Sequence, residues 1–224
     1  MNYRRIVPNS ISSISLIFGV LSIFKTFEHD FFYAAVFIIL AVLADSMDGR
    51  AARLLGVSGD FGKELDSLCD LGSFGVAPAI MIYHYGMTEL GLAGQIIAAF
   101  FTIGGAMRLA RFNVNAATVK GYFQGMPIPA GACCLATYVV SGYTFSPMMV
   151  AVMTFVIAVI MYSNVKFPDF KGKGNPMFAA PVVVAVAIGT YMIYERPAAW
   201  PFILMFTYTV AGIINYFYVL VLRK

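Results

Sequence analysis

Long apolar runs separated by short polar segments make up almost the whole chain. A helix that crosses a hydrocarbon layer about 30 Å thick needs about 20 mostly apolar residues, so the pattern predicts about eight membrane-spanning helices. No internal repeat of fixed period is present, and we expect one membrane domain, residues 1–224, folded as a helical bundle. The predicted spans are approximately 8–26, 31–52, 64–84, 91–111, 127–143, 147–164, 176–194 and 199–221.

The composition agrees with an all-α, polytopic integral membrane protein. Hydrophobic residues make up 60% of the chain and charged residues only 12%, with a mean hydropathy of +0.81. A soluble domain of this length has no interior large enough to cover so much apolar surface. The first span follows a short basic segment but has no small-residue cleavage site, so we expect it to be retained. The expected location is the cell membrane.

The basic residues predict the orientation, because Lys and Arg favour cytoplasmic loops. With the N-terminus inside, all of the 15 Lys and Arg residues except Lys25 and Arg196 face the cytoplasm. An even number of spans returns the C-terminus to the same side. We therefore expect both termini, and the loop between the second and third spans, to be cytoplasmic.

Two pairs of aspartates lie at the cytoplasmic ends of the second and third spans. Asp45 and Asp48 are three residues apart, and Asp66 and Asp70 are four apart, so each pair projects from one helix face. Helices joined by a short loop are antiparallel neighbours, which lets the two pairs face each other. Carboxylates so close repel one another unless cations neutralise them, and oxygen ligands favour Mg²⁺ or Mn²⁺. The spacing predicts a metal site facing the cytoplasm.

Residues around the aspartates favour a phosphate-bearing substrate. Gly49 follows the first pair directly, and Gly62, one turn before Asp66, opens room beside the metal site. Arg53 can reach a phosphate that the metal ions also hold, and guanidinium suits that geometry. The alternative is a solvated charged loop, but each charge placed at the bilayer centre costs about 2.5–3.5 kcal/mol, which disfavours a purely structural role.

The segment 45–70 fits without a gap the signature of the CDP-alcohol phosphotransferase family, D-x-x-D-G-x-x-A-R-x(8)-G-x-x-x-D-x-x-x-D. The strings 61–70, 73–79, 108–113 and 125–130 further resemble its phosphatidylserine synthase branch. The resemblance covers residues 5–135, the expected catalytic core, while residues 136–224 add further transmembrane helices. The matched signature positions are Asp45, Asp48, Gly49, Ala52, Arg53, Gly62, Asp66 and Asp70.

This resemblance implies transfer of the phosphatidyl group from CDP-diacylglycerol to L-serine, with release of CMP. By the same resemblance, the four aspartates hold two divalent ions, Mg²⁺ or Mn²⁺, and Asp70 is the general base for the serine hydroxyl. It also implies a homodimer among membrane lipids, with no nucleic-acid partner. The residues that it places at the CDP-lipid are Asn9, Gly49, Arg53, Ser58, Gly59 and Gly62.

Arg108 and Arg111 lie three residues apart, on one helical face at the cytoplasmic end of the fourth span. Their functional interpretation is binding of the serine carboxylate or of a lipid phosphate. Their other interpretation is ordinary basic flanking of a membrane span. His29 and His84 lie on the outer side in this topology, and we expect no catalytic role for them.

Two alternatives to serine transfer stay open at this point. The same chemistry with another acceptor, glycerol 3-phosphate or inositol phosphate, would need a dedicated basic cluster for the acceptor phosphate. A cation transporter would use the aspartates as an ion pathway, but transporters hold such sites near the midplane between repeated halves. The aspartates instead cluster at one cytoplasmic edge, and no repeat is present.

Overall fold

The computed structural model of the protein describes residues 6–57, 59–115, 122–168 and 179–222. Most of these residues are helical, and two three-residue strands are also present. The helices are α1 (Ile6–Phe27), α2 (Phe31–Leu54), α3 (Asp60–Asp70), α4 (Ala77–Gly86), α5 (Leu92–Asn115), α6 (Ile128–Val140), α7 (Pro147–Tyr162), α8 (Ala179–Glu195) and α9 (Trp200–Leu222), and the strands are β1 (Tyr122–Gln124) and β2 (Lys166–Pro168).

Each predicted apolar range contains a helix, and the helical class is confirmed. The third range is one continuous rod, because a π-helical segment, Leu71–Val76, joins α3 to α4. Within the described residues four helical stretches are long and apolar enough to cross a membrane, and the other apolar helices are shorter. The count of eight spans and the orientation therefore stay predictions. The four stretches are Val7–Phe27, Asp60–Gly86, Leu92–Asn115 and Pro197–Tyr218.

α1 and α2 form an antiparallel helical hairpin. The turn between them contains His29, whose φ is +59°, and Lys25 pairs with Glu28 at 2.6 Å. Along the hairpin, Ser15 Oγ donates to the Ala41 carbonyl oxygen at 3.2 Å. A hydroxyl inside an apolar helix pair is thereby satisfied without water. The hairpin sets the start of α1 beside the end of α2, where the aspartate signature begins.

The π-helical segment directly follows Asp70. Its Gly75 carbonyl oxygen accepts a hydrogen bond from Thr102 Oγ1 of α5 at 3.1 Å. Small residues make the packing close here, since an ideal Cβ on Gly105 of α5 would lie 2.5 Å from Ile128 Cδ1 and 4.0 Å from Gly75 Cα. Single π turns inside α-helices are frequent at functional sites. The segment anchors the aspartate-bearing end of the rod against α5 and α6.

Tyr138 of α6 is the centre of an aromatic cluster at the other end of the bundle. Its ring lies 5.0 Å from that of Phe145 and 5.6 Å from that of Phe202 in α9. Its hydroxyl accepts a hydrogen bond from the Phe145 amide at 3.1 Å, so the buried polar group is paired. Aromatic contacts of this kind join α9 to the core formed by the earlier helices.

Two short strands lie in the polar segments that precede α6 and follow α7. β1 and β2 pair antiparallel within these segments, with Tyr122 opposite Pro168. Gly125 follows β1 with a φ of +79°, and a Cβ there would overlap the Met161 carbonyl oxygen. Glycine adopts this conformation without strain. The small sheet fixes the path of the chain into α6.

Candidate active site

Three aspartates from two separate helices meet at one place. Asp45 lies in the second half of α2, and Asp66 and Asp70 lie one turn apart on α3. One carboxylate oxygen of each lies within 4.8 Å of the other two, and all three side chains are partly buried. Charged carboxylates at this separation repel one another unless a cation lies among them. The arrangement is chemically that of a divalent-metal site.

One carboxylate oxygen of Asp70 is buried. No donor within the described part of the chain reaches its Oδ1 atom. An unpaired buried polar atom costs about 1–3 kcal/mol, so a ligand at this atom would stabilise the site. Donor sets made only of carboxylate oxygens suit hard ions such as Mg²⁺ and Mn²⁺. The residues present therefore fit the metal ions that the sequence predicts.

For part of the sequence signature, the structure describes the backbone but not the side chains. Asp48, Gly49 and Arg53 lie in α2, but their side chains fall outside the described residues, and Ser58 falls outside them altogether. The metal-ligand role of Asp48 and the CDP-lipid role of the other three stay predictions.

Asn9 and Gly62, both predicted at the CDP-lipid, lie next to each other. An ideal Cβ on Gly62 would be 3.3 Å from Asn9 Oδ1, so the space that the glycine leaves opens toward α1. Gly59 is exposed and extended directly before α3 begins. The start of α1 and the start of α3 thus form one surface, one helical turn away from Asp66.

Arg108 lies beside the aspartates. Its side chain is 7% exposed, and its charge interacts with those of Asp70 and Asp45. The guanidinium carbon lies 5.6 Å from the centre of the Phe112 ring. Burial of this kind differs from ordinary basic flanking, in which the charged head reaches water.

Arg111, three residues later, has different partners. Its guanidinium donates to the carbonyl oxygens of Tyr162 at 2.7 Å, Gln124 at 2.8 Å and Ser163 at 2.9 Å. It also lies 4.8 Å from the centre of the Tyr162 ring. Arg111 therefore ties the end of α7 to β1, a structural role that neither interpretation of the sequence included.

A polar link between α3 and α5 also escaped the sequence analysis. Lys63 Nζ donates to the Asn113 carbonyl oxygen at 3.0 Å, and Asn113 Nδ2 donates to Ser67 Oγ at 2.9 Å. Ser67 directly follows Asp66 in the chain, so this link holds the aspartate-bearing helix against α5. Nothing in the local sequence could reveal a partner about fifty residues away.

The two histidines lie apart from this chemistry. His84 is on α4, four turns beyond Asp70 by helical geometry, where its ring contacts that of Phe27 at 5.5 Å. The three cysteines, Cys69, Cys133 and Cys134, form no disulfide and lie in buried or half-buried positions.

Comparison with known proteins gives a family match over most of the chain. The sequence model of the CDP-alcohol phosphatidyltransferase family matches residues 5–162. A Helicobacter pylori (strain ATCC 700392 / 26695) protein named CDP-diacylglycerol–serine O-phosphatidyltransferase is 32% identical over 228 residues, which cover 99% of this chain and 95% of that protein.

Two further relatives are similar over a shorter part of the chain. A Bacillus subtilis (strain 168) protein of the same name is 37% identical over 171 residues, or 76% of this chain and 93% of that protein. A Methanothermobacter thermautotrophicus (strain Delta H) protein named archaetidylserine synthase is 34% identical over 171 residues, or 75% of this chain and 72% of that protein. The similarity extends across bacteria and archaea.

Proposed function

Because the chain belongs to the CDP-alcohol phosphatidyltransferase family, we propose that it transfers the phosphatidyl group of CDP-diacylglycerol to the hydroxyl of L-serine and releases CMP. The cluster of Asp45, Asp66 and Asp70 carries the proposal, because displacement of CMP from a diphosphate requires cations where negative charge develops. The bacterial relatives named for transfer to serine support serine as the acceptor. The product, phosphatidylserine, makes this a step of phospholipid synthesis.

Asp45, Asp66 and Asp70, together with Asp48 of the same signature, hold two divalent ions, Mg²⁺ or Mn²⁺, in this proposal. When bound, the ions neutralise the diphosphate and stabilise the charge on the departing CMP. The carboxylates fix where the diphosphate binds. Their approach across two helices, which is costly without cations, supports the assignment.

Asp70 is the general base of the proposed reaction. An alcohol is a weak nucleophile at neutral pH, and a positioned carboxylate that takes its proton typically accelerates attack by about 10²–10⁴-fold. Asp70 Oδ1 accepts no hydrogen bond from the described residues and is free to take the serine hydroxyl proton. The deprotonated oxygen attacks the phosphatidyl phosphorus, and the bond to CMP breaks.

The CDP-lipid binds, in this proposal, across the surface formed by the starts of α1 and α3. Asn9 contacts the nucleotide, and the glycine opposite it lets the nucleotide approach the helix. Arg53 contacts the diphosphate. The remaining proposed contacts are Gly49, Ser58, Gly59 and Gly62.

We also propose eight membrane crossings, with the active site and both termini on the cytoplasmic side of the cell membrane. The apolar helices at every predicted position and the distribution of basic residues support this topology. Contacts such as that of Phe100 with Phe155 support a single domain, in which a core of residues 5–135 is joined by the helices of residues 136–224. A homodimer in a lipid bilayer is the proposed assembly.

The deciding experiment is identification of the lipid formed by the purified protein from CDP-diacylglycerol and labelled L-serine. Labelled phosphatidylserine with an equal amount of CMP is the expected result, dependent on Mg²⁺ or Mn²⁺. CMP release with glycerol 3-phosphate or inositol phosphate, and none with serine, would assign another acceptor. Metal flux into liposomes without CMP release in any of these mixtures would assign a transporter instead.

A further inference from the structure

The ring of Phe167 lies directly on the backbone of α9. Phe167 is the middle residue of β2 and is fully buried. An ideal Cβ on Gly212 of α9 would overlap this ring, so the glycine leaves the space that the ring fills. The Tyr208 ring, one turn earlier on α9, lies 5.0 Å from the Phe167 ring. The short strand is thereby held on the last helix, which lies outside the segment 5–162 that the family model matches.

The sheet that contains β2 is also joined to α5. Its other strand, β1, ends at Gln124, whose carbonyl oxygen accepts a hydrogen bond from Arg111 at 2.8 Å. The same guanidinium donates to the carbonyl oxygens of Tyr162 and Ser163, where the chain leaves α7 and leads into β2. Arg111 therefore joins the end of α5 to the chain on both sides of the sheet.

The end of α5 is in turn joined to the aspartate-bearing helix. Asn113 Nδ2 donates to Ser67 Oγ at 2.9 Å, and Ser67 Oγ donates to the Lys63 carbonyl oxygen at 3.1 Å. Lys63 Nζ closes the circle by donating to the Asn113 carbonyl oxygen at 3.0 Å. Contacts one turn apart on α3 limit both its distance from α5 and its rotation about its own axis. Because Asp66 directly precedes Ser67, the position of its carboxylate depends on where α5 ends.

The candidate metal site needs this placement because its ligands come from two helices. Asp45 lies on α2, whereas Asp66 and Asp70 lie on α3, and a carboxylate oxygen of each lies within 4.8 Å of the others. A shift of α3 relative to α2 therefore changes the separation of the ligand atoms. Replacing residues that orient the ligands of a metal typically weakens its binding by about 10- to 100-fold. A displacement that reaches α3 through several contacts should have a smaller effect of the same sign.

We propose that α9 positions the aspartate cluster, and that Phe167 and Gly212 are the positioning residues through which it acts. The contacts run from α9 to β2, from the sheet to Arg111, and from the end of α5 to α3. Neither positioning residue takes part in bond formation. The inference rests on the metal assignment of the proposed function, and it gives the last helix a role in the proposed reaction.

The test is the Mn²⁺ affinity of Gly212→Ala, measured on the purified protein by the magnetic resonance of bound Mn²⁺. The added methyl group would displace the Phe167 ring and with it the sheet, so we expect the dissociation constant for Mn²⁺ to rise about 3- to 10-fold. Phe167→Leu, which removes the ring from the contact, should also raise it, and decides the question by itself if Gly212→Ala does not fold. Wild-type affinity in the folded variants would overturn the inference.

The double variant Phe167→Leu/Gly212→Ala tests whether the two residues act through their mutual contact. Leucine has no ring and leaves room for the methyl group, so the double variant should bind Mn²⁺ more tightly than Gly212→Ala alone. A dissociation constant raised by the product of the two single effects would mean that the residues act independently, contrary to the inference.

The metal dependence of the reaction provides a second measurement. At a low Mn²⁺ concentration, the maximal rate of phosphatidylserine formation should be lower in Gly212→Ala than in the wild type, and added Mn²⁺ should restore it. The serine KM at saturating Mn²⁺ should stay near its wild-type value. A maximal rate that stays low at saturating Mn²⁺ would locate the defect outside the metal site and exclude the proposed route.

Gly189→Ala is the matched control, because it crowds the same two C-terminal helices away from the sheet. An ideal Cβ at this position of α8 would overlap Thr207 Oγ1 of α9. The substitution should leave the Mn²⁺ affinity unchanged, even where it lowers the midpoint of thermal unfolding. An equal loss of affinity in Gly189→Ala and Gly212→Ala would show general loosening and would contradict the inference. A wild-type protein that binds no Mn²⁺ would instead refute the metal assignment of the proposed function.

Discussion

Gly19 and Ser73 bring α1 and the π-helical segment into backbone contact. An ideal Cβ on Gly19 would lie 2.7 Å from Ser73 Cα, closer than side chains approach in folded proteins. Ser73 Oγ also donates to the Ser15 carbonyl oxygen at 3.0 Å. This approach holds the rod that bears Asp70 against the helix that bears Asn9.

Replacing Gly19 with Leu should therefore separate these helices. Overpacking at a close contact costs about 1–3 kcal/mol, so we expect a lower midpoint of thermal unfolding in detergent. We expect activity to fall as well, because Asn9 and Asp70 move apart. Val20→Leu, at the exposed neighbouring position, is the control. A Gly19→Leu protein with the unfolding midpoint of the wild type would show that the contact is not required.

Asp70→Asn should abolish transfer while the fold is retained. The amide is nearly isosteric but cannot take the serine proton, so we expect kcat to fall by about 10²–10⁴-fold. CMP release and the unfolding midpoint are the measurements. Glu64→Gln, on the exposed side of the same helix, should keep wild-type activity. Substantial turnover by folded Asp70→Asn would exclude this residue as the base.

Removal of divalent ions should stop the reaction reversibly. Chelation is expected to abolish CMP release, and added Mg²⁺ or Mn²⁺ to restore it, since the aspartates alone would repel the diphosphate. Asp45→Asn should weaken metal binding by at least about 10-fold, as measured directly by calorimetry or by the magnetic resonance of bound Mn²⁺. Activity that survives complete chelation would contradict the metal assignment.

Arg111→Gln should affect stability more than acceptor binding. The substitution removes hydrogen bonds from a cation to several carbonyl oxygens, at a cost of about 1–3 kcal/mol, and should lower the unfolding midpoint. The serine KM should change far less than in Arg108→Gln, because Arg108 is the arginine that lies beside the aspartates. A serine KM raised as much as in Arg108→Gln would instead support the direct acceptor contact that the sequence predicts for Arg111.

Gly62→Ala tests the contact between α1 and α3. The added methyl group would press on Asn9 Oδ1 at 3.3 Å, so we expect the KM for CDP-diacylglycerol to rise with little change in the serine KM. Asn9→Ala should relieve part of the crowding. In the double variant, the KM for CDP-diacylglycerol should therefore be lower than the two single-variant increases combined would give. Additive effects on the KM would place the two residues in separate environments.

The helices were the most predictable part of this fold. Apolar run length alone predicts α1 at 8–26, where the structure has Ile6–Phe27, and the spacing of Asp66 and Asp70 predicts that both project from one face. Both predictions depend on periodicity along one helix, a property that is local in sequence.

The partners of the arginines could not be predicted in the same way. Arg108 and Arg111 share a helical face by spacing, yet one is buried near Asp70 and the other donates to backbone carbonyl oxygens. Every residue has a carbonyl oxygen, so a partner of that kind leaves no mark in the sequence. The pairing of β1 with β2 likewise depends on two segments that are distant in the chain.

The π turn after Asp70 sets the direction in which the rest of the rod faces. Each residue of an α-helix advances its facing direction by about 100°, so one extra residue rotates everything beyond it relative to everything before it. Deletion of Gly72 would rotate Phe74, now fully buried, by about 100° away from its present packing while Asp66 and Asp70 kept their places. The turn therefore sets which face of α4 packs against the bundle, while the positions of Asp66 and Asp70 are set before it.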